Sequence, residues 1–321
     1  MAEQLQLEEG TNEAGEMWGR TLAYRKLLHQ VSNTVTAPSE RPKVHSYLNH
    51  YRCCPPPVFI LLVSIIQVGL FFHYGIEGQS VICPGCAYLY NDTTGALTLA
   101  ADVDPNATME NYTLEMGVLV FAPQIRHELW RFISYQFLHD GLVHLCSNVI
   151  IQLLIGLPLE LVHQMWRVGG VYTLAVVMGA MVQYVVDPQS TLVGASGGVY
   201  GLIAAHLANV ILNWSEMPCR WCRLITVSVY LALDIGGTVY LHLTSERCLN
   251  VSNAAHFGGA LTGLLLGMYL LRNIRELPWE KRLVKICLVL YGVIFVALAG
   301  CVVVIQPIPL PTEESNSTCT P

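Results

Sequence analysis

Leu192–Leu212 reads LVGASGGVYGLIAAHLANVIL. The stretch has no Lys, Arg, Asp or Glu and is long enough to cross a bilayer, which takes roughly 20 apolar residues in a helix. Ser196 stands near its start among glycines, and His206 lies ten positions further on. Similar apolar segments occupy Val58–Ile76, Leu142–Val162, Gly169–Val186, Leu224–Leu243, Ala254–Leu271 and Leu283–Ile305. Together they predict an all-α polytopic membrane protein with seven spans. Composition agrees: 53% of the 321 residues are hydrophobic and 12% charged, against about 25% charged in soluble globular domains. Mean hydropathy is +0.46. The net charge of −6 comes with no basic block, so nucleic acid is excluded as a partner and the bilayer is required as one.

Outside the spans the chain divides readily. Residues 1–55 are polar and lack an apolar signal-peptide core, so the first span does the targeting. Residues 56–305 carry the spans and include a long loop at 77–139, and 306–321 form a tail. Lys and Arg collect on the cytosolic side of membrane proteins. Arg20, Arg25, Lys26, Arg41, Lys43 and Arg52 precede the first span, Arg167 follows the second, and Arg220 and Arg223 follow the fourth. Arg272, Arg275, Lys281, Arg282 and Lys285 follow the sixth, so all share one side if the N-terminus is cytosolic. The glycosylation sequons at Asn91, Asn106, Asn111, Asn250 and Asn316 then all face the lumen. Asn213 is the exception, expected to face the cytosol unmodified. The loop pair Cys83/Cys86 faces an oxidising compartment, where a local disulfide or pairing with Cys248 or Cys319 is open. Cys219 and Cys222 are expected as cytosolic free thiols, and Cys53/Cys54 as juxtamembrane thiols or palmitoylation sites.

Polar residues within spans are costly and therefore candidates for function. Spans two, four and six enter from the same side. They carry His144 and Asn148, then Ser196, then His256 near that entry point, so topology alone puts a serine, two histidines and an asparagine in one shallow layer. A serine hydroxyl needs a neighbouring base to become a nucleophile, and neutral imidazole suits that near pH 7. The oxyanion it creates needs donors fixed beforehand, and a helix N-terminus supplies backbone N–H groups. Taken singly, each feature has a plainer meaning: GASGG as a tight helix start, His256 as a core histidine, Asn148 as interhelical glue. Their common depth favours catalysis. Asp234 lies near mid-membrane, so packing or a local hydrogen bond fits it better than direct contact with His256. His206 is too deep to serve Ser196, and Glu160 and His163 at the far end of span two read as solvated or structural.

The motifs resemble those of the rhomboid family. Gly194-Ala195-Ser196-Gly197 resembles its GxSG motif, and Tyr200 matches the tyrosine that packs on the catalytic histidine. His256 with Gly259 and Gly263 resembles the HxxGxxxG pattern, and His144-Leu145-Cys146-Ser147-Asn148 the oxyanion-assisting pair of span two. Trp130-Arg131 and His139 match first-loop features. The resemblance implies a six-helix rhomboid core plus one C-terminal transmembrane helix, as in secretase-type rhomboids. It implies a serine protease with Ser196 as nucleophile and His256 as base. His144, Asn148, Gly194 and Tyr200 would support the oxyanion and the base. No metal or cofactor is implied. Expected substrates are single-span membrane proteins, such as growth-factor precursors, cut near their transmembrane helix in the Golgi, endosome or plasma membrane. The alternative is a non-catalytic binder of client transmembrane helices that controls their traffic or degradation.

Overall fold

The computed structural model describes residues 41–42, 45, 58–73, 88–91, 96–99, 118–188, 190–214, 217, 219–244, 252–273 and 277–306. Among the described residues, seven long helices follow one another: α1 (Phe59–His73), α2 (Gly141–His163), α3 (Met165–Val186), α4 (Ser196–Leu212), α5 (Arg220–Thr244), α6 (Asn253–Leu270) and α7 (Pro278–Val304). Each falls on one expected span. By length and composition α2, α3 and α7 can cross a membrane unaided, while α1 and α4 are shorter apolar helices. Large apolar side chains face outward, as with Leu233 on α5 and Val289, Val296 and Val303 on α7. Such a surface is at home in lipid and not in water.

α3, α4 and α6 form the centre. Gly259, Gly263 and Gly267 on α6 lie against Gly197, Gly201 and Ala205 on α4. A Cβ on Gly259 would stand 2.0 Å from the Gly197 carbonyl oxygen, and one on Gly263 2.0 Å from that of Gly201. Only glycine lets the two backbones meet this closely, the small-residue packing expected between membrane helices. The remaining helices surround this core, and α5 is the most peripheral, packing mainly on α4.

Buried polar groups tie the outer helices on. Tyr172 on α3 donates to Gln152 Oε1 (2.9 Å), and Gln152 on α2 donates to Ser64 Oγ on α1 (2.7 Å). Gln67 donates to the Tyr172 hydroxyl (3.2 Å). In lipid an unmet polar group has no water to fall back on, so a closed network of this kind fixes the packing. Gln152 opens a π-helical turn, Gln152–Gly156, ahead of Pro158. Proline removes an N–H and crowds the preceding turn, and the wider turn absorbs both effects. Glu160 and His163 are buried rather than solvated. Glu160 accepts from the N–H groups of Phe59 and Ile60 (2.8 and 3.0 Å), placing its carboxylate at the start of α1. His163 Nδ1 accepts from Arg272 N (2.8 Å).

Several boundaries differ from the sequence expectation. Residues 192–195 are not helical: Leu192 pairs with Phe121 in an antiparallel bridge, and α4 begins at Ser196 itself. The long loop carries a two-stranded hairpin, β1 (Tyr88–Asn91) with β2 (Ala96–Leu99). Its apolar part is buried at Val120, Phe121 and Ala122. Cys219 and Cys222 are free thiols. Cys53, Cys54, Cys83, Cys86, Cys248 and Cys319, and the sequons at Asn106, Asn111, Asn250 and Asn316, lie outside the described residues.

Candidate active site

Gly194 has φ +107°, a conformation that favours glycine. A Cβ there would stand 2.6 Å from His144 Cε1, so the imidazole of α2 rests directly on this backbone. The segment is held from its other side, since Gly194 N–H donates to the Tyr135 carbonyl (3.1 Å) and Leu192 N–H to that of Phe121 (2.9 Å). Tyr135 is itself anchored by its hydroxyl, which donates to the Val176 carbonyl (2.8 Å). The strand entering α4 is thus fixed before the helix starts, and Ser196 is the first residue of that helix. The amide N–H groups of its first turn have no partner within the helix, and the helix dipole there favours negative charge.

Tyr200 lies four residues on and shares a helix face with Ser196. Its ring stacks on His256 with centroids 4.3 Å apart and planes 13° from parallel. His256 stands in the first turn of α6, whose start is set by Ser252. The Ser252 hydroxyl accepts from Ala255 N–H (3.3 Å) and donates to Gln183 on α3. Because α6 touches α4 at Gly197–Gly259, His256 is held beside the first turn of α4. No hydrogen bond joins Ser196 to His256 among the described residues; they share one wall, with the Tyr200 ring holding the imidazole. Such bonds often tighten only when substrate arrives.

The structure brings His144 to the same place but uses Asn148 differently. His144 lies over Gly194 and within Coulombic range of His256. Asn148 is buried, and its amide donates to the His144 carbonyl one turn back (3.0 Å), which leaves one N–H for other partners. His139 is also buried and meets His144 edge-on with centroids 5.2 Å apart. Trp130 and Arg131 clamp the loop. Trp130 Nε1 donates to the Val118 carbonyl (3.2 Å), and Arg131 donates to the Val120 carbonyl (2.8 Å) and to Glu128 (2.5 Å).

Asp234 is the residue whose connection the chain position hides. The Tyr200 hydroxyl donates to its carboxylate. Asp234 on α5 is therefore linked to His256 through a stacked ring. Below Tyr200, an apolar cleft of about 240 Å³ runs between α4, α5 and α6, lined among others by Val227, Leu231, Phe257 and Leu261. No cluster of metal-binding side chains occurs among the described residues.

Fold and site together define a polytopic helical membrane protein with a serine and a histidine gathered at one end of its core. Residues 126–273 match the Rhomboid domain. The chain is 44% identical over 287 residues to Rhomboid-related protein 1 of Caenorhabditis elegans, covering 88% of this chain and 75% of that protein. It is 34% identical to Rhomboid-related protein 3 of Homo sapiens, covering 86% of this chain and 63% of that one. Inactive rhomboid-related protein 2 of Caenorhabditis elegans is 31% identical over 274 residues, 85% of this chain and 71% of its own length. The chain belongs to the rhomboid family.

Proposed function

We infer that the protein is an intramembrane serine endopeptidase with Ser196 as nucleophile and His256 as general base. The observation that carries this reading is the Tyr200–His256 stack beside the first turn of α4, which holds an imidazole next to a serine at a helix N-terminus. His256 takes the Ser196 proton as the hydroxyl attacks the peptide carbonyl, then delivers it to the leaving amine. The oxyanion forms against the N–H groups of the first turn of α4 and beside His144, with the remaining Asn148 N–H as a further donor. Tyr200 positions the base, and Gly194 keeps room for His144. No step calls for a metal or cofactor.

Substrates of this reading are single-span membrane proteins. A spanning helix hides its own amides, so the cut segment must unwind first, and the apolar cleft below Tyr200 suits the portion that stays in lipid. The basic flanks and sequons support a cytosolic N-terminus and a site near the lumenal or extracellular surface, in membranes of the Golgi, endosome or plasma membrane. The second reading, a non-catalytic binder of client helices, is favoured by the similarity to a relative named inactive.

Co-expression with a single-span growth-factor precursor separates the two readings. The wild type releases the ectodomain, and Ser196→Ala and His256→Ala do not. Equal release by both variants contradicts the assignment.

A further inference from the structure

At the end of the bundle away from Ser196, a pocket of about 650 Å³ opens between the start of α3, the end of α6 and the start of α7. Asn213, just past α4, donates to the Arg272 carbonyl (3.2 Å), which fixes this level at the opposite end of α4 from the serine. That is roughly 24 Å away by helix rise. Four cationic residues line the pocket: Arg167, Arg272, Lys281 and Lys285. Among the described residues lining it the one acid is Glu280, which is buried and accepts from Asn273 Nδ2 (2.6 Å) and Leu277 N–H (2.8 Å) as the cap of α7. Arg167 donates to the Leu270 carbonyl and its guanidinium lies 4.5 Å over the Trp166 ring, yet its Nε is buried without a hydrogen-bond partner. The deeper wall is apolar, with Met268, Val284 and Leu288.

Depth identifies the ligand. Tyr269 lines the pocket, Trp166 stacks on the Arg167 guanidinium and Trp279 stands in the first turn of α7; all three are about half exposed, and exposed aromatic rings of this kind mark the headgroup level of a membrane. A cationic rim over an apolar wall at that level matches an amphiphile with an anionic head and an acyl chain. Basic pockets between helices recognise lipid headgroups, each cation contributing about fivefold in affinity. We propose that this pocket binds an anionic phospholipid, its phosphate among Arg167, Arg272, Lys281 and Lys285 and its chain along α6 and α7. The site depends on the membrane reading of the fold and not on catalysis.

The test uses the full chain, purified and delipidated in detergent, with bound lipid counted by native mass spectrometry. Dioleoyl phosphatidylglycerol is expected to bind at concentrations at least tenfold below dioleoyl phosphatidylcholine. Lys281→Gln/Lys285→Gln, both exposed one turn apart on α7, should remove most of that preference while leaving the thermal midpoint unchanged. Arg282→Gln, exposed but not lining the pocket, should retain it. Equal binding of the two lipids overturns the proposal. So does an undiminished preference in the double variant, or an equal loss with Arg282→Gln. Displacement of the lipid by millimolar inorganic phosphate would mark a free-anion site and overturns it as well.

Discussion

Tyr200 does two things at once. Its ring face holds the His256 imidazole, and its hydroxyl reaches Asp234 on a different helix. The two roles separate by mutation. Tyr200→Phe keeps the stack and loses only the hydrogen bond, which acts on the base through the ring, so turnover should fall by about tenfold or less, the range of one ordinary net hydrogen bond. Asp234→Asn should fall with it, and combining the two should add little, because both act through one link. Tyr200→Ala also removes the ring and should lose on the order of a hundredfold, since a misplaced base costs that much. Rates on a single-span substrate in proteoliposomes check this; additive losses from Tyr200→Phe and Asp234→Asn would contradict it. The link was hidden in the sequence for a physical reason. Depth counted along the chain puts Asp234 below His256, but the phenol spans that difference from one turn below Ser196. No spacing rule reports how far a side chain reaches.

The helix seam was far more legible than the segment that feeds it. Gly259, Gly263 and Gly267 recur every four residues, and that period alone implies close helix contact, which the α4–α6 backbone approach realises. The start of α4 could not be read the same way. Residues 192–195 are apolar, and an apolar run looks alike whether helical or extended; only the bridge to Phe121, distant in the chain, decides it. The seam makes a sharp prediction. Gly263→Val forces α4 and α6 apart by more than 1 Å against a backbone carbonyl, beyond what side-chain repacking relieves, so it should cost upward of about 3 kcal/mol. Gly292→Ala on α7 meets nothing within 4 Å and should be neutral or stabilising by up to about 1 kcal/mol. Thermal midpoints in detergent compare the two; a Gly263→Val protein as stable as wild type would contradict the packing account.

Across the described residues, an apolar exterior surrounds a core with Ser196 and His256 at one end and a basic pocket at the other. Helix number and order were written in the hydropathy pattern, because lipid demands apolar surface all round. Orientation rests on the loop charges and sequons, and glycosylation mapping in cells tests it: Asn91 should be modified and Asn213 should not. The structure adds a second reason for Asn213, which is buried and donates to Asn209 Oδ1 (2.8 Å). Modification of Asn213 with none at Asn91 would reverse the orientation. The central claim, that His256 activates Ser196, is most directly tested with a fluorophosphonate probe on the purified full chain in liposomes, the adduct located by peptide mass spectrometry. The account predicts a single phosphonyl adduct on Ser196 that His256→Ala abolishes; no adduct on Ser196, or one that forms equally fast without His256, would contradict it.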